Sequence, residues 1–92
     1  MVLPRAVAGV MVQQQQDAFF LLDTEGGEVF RVNETAARIF EFCRDGSTLD
    51  DAVRTLATGL SGNGPWDEIR EDVRRTVAQF QELGLCETSA LS

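Results

Sequence analysis

The side chains that carry most enzyme chemistry are scarce in this sequence, and those present form no catalytic set. Histidine is absent, which removes the usual general base near neutral pH and the commonest metal ligand. Cys43 and Cys86 lie in no CxxC spacing, and we expect Cys43 to be a buried structural thiol and Cys86 to be partly exposed. Ser89 and Ser92 stand in a polar tail without a base to activate them. The sequence therefore predicts a non-enzymatic protein with no cofactor and no metal site.

Charge and length restrict the classes of partner. The formal net charge is −7, and all eight basic residues are arginine. This acidic balance opposes nucleic-acid binding, which needs a basic face to neutralise phosphates. No apolar stretch approaches the roughly 20 residues that span a membrane, and no signal-peptide cleavage pattern follows the N-terminus. We therefore expect a cytoplasmic protein with one domain over residues 1–92, folded over 5–87 and loose at 1–4 and 88–92.

The elements that would position any site begin with three strand-like runs. Valines predict a first strand within 5–12, and the four glutamines at 13–16 predict a polar hairpin loop. The apolar run at 19–22 has the length of a buried strand, and a β-rich run follows at 28–32. The residues between them, 24–27, tolerate positive φ and predict a tight connection.

Three helices are predicted after the strands. Asn33 is suited to cap the first helix, over 34–44, and Thr48 is suited to cap the second. Pro65 predicts the start of the third helix and Gly84 its end. Apolar stripes at helical spacing predict the buried residues: Ala36, Ile39, Phe40 and Cys43 in the first helix, Leu49, Ala52, Val53, Leu56, Ala57 and Leu60 in the second, and Trp66, Ile69, Val73, Val77, Phe80 and Leu83 in the third.

This order of elements predicts an α+β fold: a three-stranded antiparallel sheet followed by three helices, similar to a winged helix-turn-helix with its sheet placed first. Consecutive strands joined by short turns pair as neighbours, so the third strand, Glu28–Val32, is predicted to be an edge. An edge strand exposes backbone N–H and C=O groups that an extended peptide can pair with. Alternation directs Phe30 and Val32 to the core and Val29 and Arg31 to the opposite face.

The third helix is the predicted second wall of such a peptide groove. Its core stripe leaves Arg70, Arg74 and Gln81 on one flank and Asp72, Thr76 and Gln79 on the other. The sequence does not decide which flank meets the sheet edge. We favour the arginine flank, because arginine gives bidentate recognition of acidic side chains; the alternative is a solvated face with ordinary helical ion pairs such as Glu71–Arg75. The predicted binding residues are Val29, Phe30, Arg31, Val32, Arg70, Asp72, Arg74 and Val77.

An ordered series of short segments extends over about residues 18–87. Its members are Leu21-Leu22-Asp23, Val29, Val32-Asn33-Glu34-Thr35-Ala36-Ala37, Ile39, Cys43, Asp45-Gly46, Leu49-Asp50-Asp51-Ala52-Val53, Asp72-Val73 and Leu83-Gly84-Leu85. This series resembles the family of PqqD, the small pyrroloquinoline quinone biosynthesis protein. The resemblance depends on the order of the segments.

The resemblance implies a peptide-recognition domain, often called a RiPP recognition element. In that family the leader of a ribosomally made precursor peptide binds as an added strand beside the third strand and against the third helix. The bound peptide is presented to a modifying enzyme, commonly a radical S-adenosylmethionine (radical SAM) protein or, in lasso-peptide systems, a leader peptidase. Carried over by position, the binding surface is Val29–Val32 with the exposed side of the third helix from Arg70 to Gln81.

Two other classes of function stay open from the residues alone. A winged-helix DNA-binding protein would use the third helix for recognition, but that helix carries more acidic than basic side chains. A homo-oligomeric scaffold, in the simplest case a homodimer, would pair the same edge strand between copies. Such pairing between copies would use the same surface as peptide capture.

Overall fold

The chain forms a sheet first and a helical layer second. In a computed structural model, which describes residues 2–58 and 66–87, three strands make one antiparallel sheet in the order β1-β2-β3. The strands are β1 (Val10–Gln15), β2 (Ala18–Asp23) and β3 (Glu28–Val32), and the helices are α1 (Glu34–Asp45), α2 (Leu49–Thr58) and α3 (Trp66–Glu82). The predicted α+β order of three strands and then three helices is confirmed.

The first hairpin differs from its prediction. β1 includes Gln13–Gln15, which pair with β2 as far as Ala18. The connection consists only of Gln16 and Asp17, and Gln16 takes the positive φ, 54°, that a two-residue hairpin requires at its first position. The glutamine side chains are exposed, and pairing uses only their backbone groups, so apolar side chains are not needed. The predicted boundaries, a strand within 5–12 and a loop of all four glutamines, are therefore wrong.

The N-terminal segment, expected to be loose over 1–4, is held in place from residue 2 onward. Leu3 is only 5% exposed, and its N–H donates to the Ser47 carbonyl at 3.0 Å. The Val7 N–H donates to the Leu85 carbonyl at 2.9 Å. The segment covers the core between the end of α1 and the chain after α3. Burial of the Leu3 side chain in the apolar core stabilises this position. The other predicted loose end, 88–92, lies outside the described residues.

The strand register separates an inner face of the sheet, toward the helices, from an outer face. Two adjacent rows of paired residues cross the strands: Val12, Leu21 and Phe30 on the inner face, and Met11, Leu22 and Val29 on the outer face. In β3, Phe30 and Val32 pack against the core, whereas Val29 is 61% exposed and Arg31 is exposed as well. The predicted alternation along β3 is therefore confirmed.

Side-chain caps set the starts of two helices. The Asn33 Oδ1 accepts the Ala36 N–H at 2.7 Å at the start of α1, and the Thr48 Oγ1 accepts the Asp51 N–H at 3.1 Å at the start of α2. Each cap satisfies a backbone donor that the first turn of a helix leaves unpaired. Both predicted caps are confirmed, while Pro65, the predicted start of α3, lies outside the described residues.

The end of α3 is also as predicted. Gly84 has a φ of 80°, in the left-handed region where glycine carries no steric penalty. The Leu85 N–H donates to the Phe80 carbonyl at 2.8 Å, and the Gly84 N–H donates to the Gln81 carbonyl at 3.2 Å. This is the Schellman arrangement, and it directs Leu85 into the core, where it is 1% exposed.

The core joins one apolar stripe from each helix to the inner face of the sheet. Phe40 of α1 meets Phe80 of α3 edge to face, with ring centroids 5.5 Å apart and an interplanar angle of 88°. The predicted burial fails at the two ends of the third stripe, where Trp66 is 48% and Leu83 is 50% exposed. Leu83 follows Phe80 by three residues, a rotation of about 300°, which places it on the flank beside β3. Trp66 is the first helical residue and is only half covered by the described residues. Within 2–58 and 66–87, no helix combines the length and apolarity needed to cross a membrane.

The two cysteines lie side by side in the core as free thiols. Cys43 is buried as predicted, but Cys86 is only 2% exposed, because the chain at Ala6 pairs with it and covers it. The hydrogen bond that the Cys43 thiol gives Cys86, together with burial, raises the pKa of Cys43 above the ordinary thiol range. A protonated, inaccessible thiol is a poor nucleophile. Among the described residues, no group of three or more His, Cys, Asp and Glu side chains is placed to hold a metal ion.

Candidate functional site

β3 presents an open edge to the surroundings. It pairs with β2 along its whole length, from Glu28 to Val32, and no other strand of the described chain pairs with its second side. Alternate residues of such an edge direct their N–H and C=O groups outward. Five residues at about 3.4 Å each give an edge about 17 Å long.

A groove of about 810 Å³ runs between this edge and α3; we call it the β3–α3 groove. Its strand wall is Val29–Val32, and the start of α1 closes it with Asn33, Thr35 and Ala36. Its helix wall is formed by Asp72, Arg75, Thr76, Gln79, Phe80 and Leu83. Because β3 leads into α1 through the single capping residue Asn33, the strand wall and the start of α1 are held at a defined angle.

The walls of the groove combine apolar surface with hydrogen-bonding groups. Val29 on the strand wall and Leu83 on the helix wall are large apolar side chains that remain at least half exposed. Arg75 Nη1 donates to Asp72 Oδ1 at 3.1 Å, an ion pair more than 60% exposed on both sides and therefore weakly stabilising. An extended peptide suits this combination, because its backbone can pair with the edge while alternate side chains contact the helix wall.

The structure places the predicted binding residues in two groups. Val29, Phe30, Arg31, Val32 and Asp72 line the groove, whereas Arg70, Arg74 and Val77 do not. Val77 is 6% exposed and belongs to the core. The favoured arginine flank of α3 is therefore the wrong one, and the opposite flank, that of Asp72, faces β3. The alternative pairing of Arg75 with Glu71 is also wrong, since Arg75 pairs with Asp72.

Packing between α2 and α3 explains which flank faces the groove. Arg70 Nη1 donates to Asp50 Oδ1 of α2 at 2.8 Å, and the Arg70 side chain is only 37% exposed. The Arg70 flank therefore points toward α2. Arg74 is exposed and follows Arg70 by one helical turn on the same flank. With the buried stripe of α3 in the core and its Arg70 flank against α2, the opposite flank, that of Asp72, faces β3.

The Asp50–Arg70 pair predicts a pH-dependent contribution to stability. The hydrogen bond from Arg70 and the charge of its guanidinium lower the pKa of Asp50. The folded state therefore binds fewer protons at this site than the unfolded state, so the contribution is complete above the ordinary carboxyl pKa, about 4, and is lost as the pH falls through the lowered value. We expect Asp50→Asn to destabilise the protein at pH 7 and to have less effect near pH 3, as measured by urea unfolding.

The partner residue supplies the control for this prediction. In an Arg70→Gln background, Asp50→Asn should have little effect on the free energy of unfolding at either pH, because the hydrogen bond is already lost. A destabilisation by Asp50→Asn that is the same at pH 7 and pH 3 would contradict the ion-pair explanation.

Several residues that line the groove are not among the predicted binding residues. Thr76 and Gln79 lie on the flank that the prediction does not favour, and Leu83 belongs to a predicted core stripe. Arg75 is predicted to pair with Glu71 and is not among the predicted binding residues. Thr35 and Ala36 enter the groove because α1 begins immediately after the edge strand. The sequence contains a signal for Thr35 and Ala36. A strand that leads directly into a capped helix must place the first turn of that helix beside the end of the strand.

The sheet has a second edge, β1. No strand of the described chain pairs with the outer side of β1 either. The cleft between the hairpin and α1, lined by Val12, Gln14 and Phe19 with residues of α1, has a volume of about 220 Å³. The β3–α3 groove is almost four times larger and is the only one of these two that joins an open edge to α3. β3 is therefore the better candidate for an added strand.

Sequence comparison identifies the family. The profile of coenzyme PQQ synthesis protein D (PqqD) matches residues 19–85, from β2 to the residue after Gly84. The chain belongs to the PqqD family. The PqqD match contains every residue that lines the β3–α3 groove, and it begins after β1. The resemblance seen in the sequence is confirmed. No significant sequence match to a curated protein was found.

Two solved structures share this PqqD-family fold. Lasso peptide synthetase B1 complexed with the leader peptide superposes with a TM-score of 0.76 and 25% sequence identity, over 91% of this chain and 96% of that one. TbiB1 in complex with the TbiA(beta) leader peptide gives a TM-score of 0.74 and 18% identity, over 90% and 94% of the two chains. At 18% identity the likeness to TbiB1 concerns the fold alone.

Proposed function

We propose that this PqqD-family chain is a single, non-catalytic domain that binds the leader of a ribosomally synthesised precursor peptide. The leader adds to β3 as a fourth strand and lies in the β3–α3 groove. The bound leader is then presented to a modifying enzyme, either a radical SAM enzyme or a lasso-type leader peptidase.

The open edge of β3, which faces α3 across the groove, is the observation that carries this proposal. Each backbone hydrogen bond to an added strand contributes about 1 kcal/mol, and those bonds do not depend on peptide sequence. Side chains of the guest that point inward meet Phe80, Leu83 and the polar groups of Thr76 and Gln79, which supply the selectivity. Affinity and specificity thus come from different walls of the groove.

The comparisons support the same class of ligand. Lasso peptide synthetase B1, 25% identical over 91% of this chain, is complexed with a leader peptide. The groove lies wholly within the range that matches the PqqD family. The lining side chains are hydrogen-bonding, apolar or ion-paired, which favours binding over bond-making chemistry.

The charges of α3 support a peptide rather than DNA as the partner. Arg70 is ion-paired with Asp50, and Arg75 is ion-paired with Asp72. DNA recognition by α3 would need several cations that are not already neutralised by carboxylates. The helix also carries acidic side chains in its first turn, at Asp67 and Glu68, where phosphate would approach a recognition helix.

Titration of ¹⁵N-labelled protein with leader peptides tests the proposal. The peptides are those encoded by short reading frames next to the gene of this chain, and a scrambled peptide of the same composition is the control. We expect NMR shift changes confined to β3 and to the Asp72–Leu83 flank of α3, with slower hydrogen exchange at the outward amides of β3. Single N-methylation of each peptide amide in turn should weaken binding only at every second position. Only those amides donate hydrogen bonds to β3, and the amides between them point away from it.

Two outcomes would contradict the proposal. Shift changes confined to the Arg70 flank of α3 and to α2 would place the ligand elsewhere. Sedimentation velocity that shows a stable dimer, closed through β3 and unaffected by any leader peptide, would favour the scaffold function instead.

A further inference from the structure

We propose that Arg31 makes the β3–α3 groove select peptides that carry a carboxylate at one fixed position of the bound strand. The inference rests on the proposed function, since it concerns a peptide already paired with β3. It adds the chemical class of that peptide: an extended segment with one aspartate or glutamate on the side that faces outward, opposite Arg31.

Arg31 has an exceptional position in the sheet. The register places it opposite Phe20, and Phe20 opposite Gln13, so all three lie on the outer face. Alternation along the three strands puts eight side chains on that face: Met11, Gln13, Gln15, Ala18, Phe20, Leu22, Val29 and Arg31. Arg31 is the single charged residue among them, in a chain that has 15 acidic residues.

The guanidinium of Arg31 is not neutralised by the described part of the chain. There, four arginines, at positions 38, 54, 70 and 75, form ion pairs with carboxylates within 4.0 Å, and Arg31 forms none. Its side chain is exposed on the outer face, and Arg31 is one of the edge residues that border the β3–α3 groove. Arg31, Val32 and Asn33 also border a second cleft, of about 780 Å³, beside the turn after β1. A strand added to β3 would pass directly beside this cation.

Cross-strand geometry defines where the complementary charge must be. In an antiparallel pair, directly opposed residues have Cβ atoms about 5 Å apart, and opposite charges at that distance attract. Arginine is suited to hold a carboxylate through two parallel N–H···O bonds. The guest residue opposite Arg31 points to the same outer face, where Phe20 and Gln13 carry no carboxylate. Asp17 and Glu34 line the second cleft as well, but neither lies within 4.0 Å of Arg31, and Glu34 is paired with Arg38.

The net charge limits the preference to that one position. A net charge of −7 repels acidic peptides at long range, whereas the attraction of Arg31 acts within a few ångströms. The selected peptides should therefore be neutral or basic overall and acidic only opposite Arg31. This distinguishes positional recognition from general attraction between a basic patch and an acidic peptide.

A charged residue on an edge strand can also prevent edge-to-edge pairing of copies. The two roles separate in the Arg31→Glu variant. That variant retains a charge on the edge, so protection against self-pairing persists, but its preference for the opposing residue should reverse.

Selection from a random peptide library tests the inference. Twelve-residue peptides are displayed and selected on the wild-type chain, on Arg31→Glu and on the control Arg54→Glu, which makes the same charge change on α2, outside the groove. We expect aspartate or glutamate to be enriched at one aligned position with the wild type and with Arg54→Glu. With Arg31→Glu, lysine or arginine should replace it at that position. Reversing the charge of that residue in one selected peptide should weaken wild-type binding about two- to fivefold.

The outcomes distinguish this inference from the proposed function. If groove-binding peptides show no fixed acidic position, or if Arg31→Glu selects the same peptides as the wild type, the inference is wrong and the proposed function is untouched. A change in self-association without a change in selected sequence would likewise overturn it. Selected peptides whose binding leaves the β3 amides unperturbed in NMR spectra would overturn both.

Discussion

Replacing Thr76 by tryptophan is expected to weaken leader-peptide binding by about tenfold or more while the chain stays folded. Thr76 is half-buried on the helix wall of the β3–α3 groove. An added strand must lie about 4.8 Å from β3, between that strand and α3. An indole at position 76 would occupy this space, and the guest backbone would lose its pairing with the edge. Fluorescence anisotropy of a labelled leader peptide measures the change in affinity.

Ala78→Trp is the matched control for this prediction. Ala78 lies two residues further along α3, is exposed and does not line the groove. The same bulky side chain there should leave affinity within about twofold of the wild type. Thermal unfolding of both variants monitors the fold. Wild-type affinity in a folded Thr76→Trp variant would show that the peptide binds elsewhere, and a large loss with Ala78→Trp would show that the effect is not specific to the groove.

Phe40→Ala is expected to destabilise the fold by about 3–5 kcal/mol, which is the usual cost of truncating a fully buried phenylalanine. The Phe40 side chain is completely buried and meets Phe80 edge to face at 5.5 Å. Its loss removes the aromatic contact between α1 and α3 and leaves a cavity in the centre of the core. Since total stabilities of small domains are about 5–15 kcal/mol, a large part of the free energy of unfolding would be lost. Urea denaturation followed by circular dichroism measures it.

Phe20→Ala provides the comparison on the sheet. Phe20 is only half-buried, on the outer face, with no helix above it in the described chain. Its truncation should cost less than half as much as that of Phe40, because a solvent-facing site leaves no enclosed cavity. Equal destabilisation by the two substitutions would contradict the assignment of the core to the inner face, and would indicate that the outer face is covered as well.

Features that depend on neighbouring residues were predictable from the sequence. The cap at Asn33 needs only the Ala36 N–H, three residues away, and the end of α3 at Gly84 needs only the last helical carbonyls. The helical stripes required only the 3.6-residue period. The edge position of β3 followed from three strands in sequence joined by short turns, since such strands pair in order.

Features that depend on distant residues were not predictable in the same way. The backbone N–H of Leu3 donates a hydrogen bond to the Ser47 carbonyl, and that of Val7 donates to the Leu85 carbonyl, almost the whole chain away. No local sequence pattern therefore marks the N-terminal segment as ordered. The glutamines of β1 are in a strand because β2 pairs with them, although their side chains carry no strand signal.

The sequence by itself determined that this chain has an edge strand followed by amphipathic helices, and its ordered segments determined the family. Only the tertiary structure decided which flank of α3 faces that edge. An amphipathic helix specifies its buried stripe through its own periodicity, but the two flanks beside the stripe are equivalent until a neighbouring element packs against one of them. Here the Arg70 flank faces α2, where Arg70 pairs with Asp50, twenty residues earlier in the chain. The opposite flank, that of Asp72, therefore faces the β3–α3 groove.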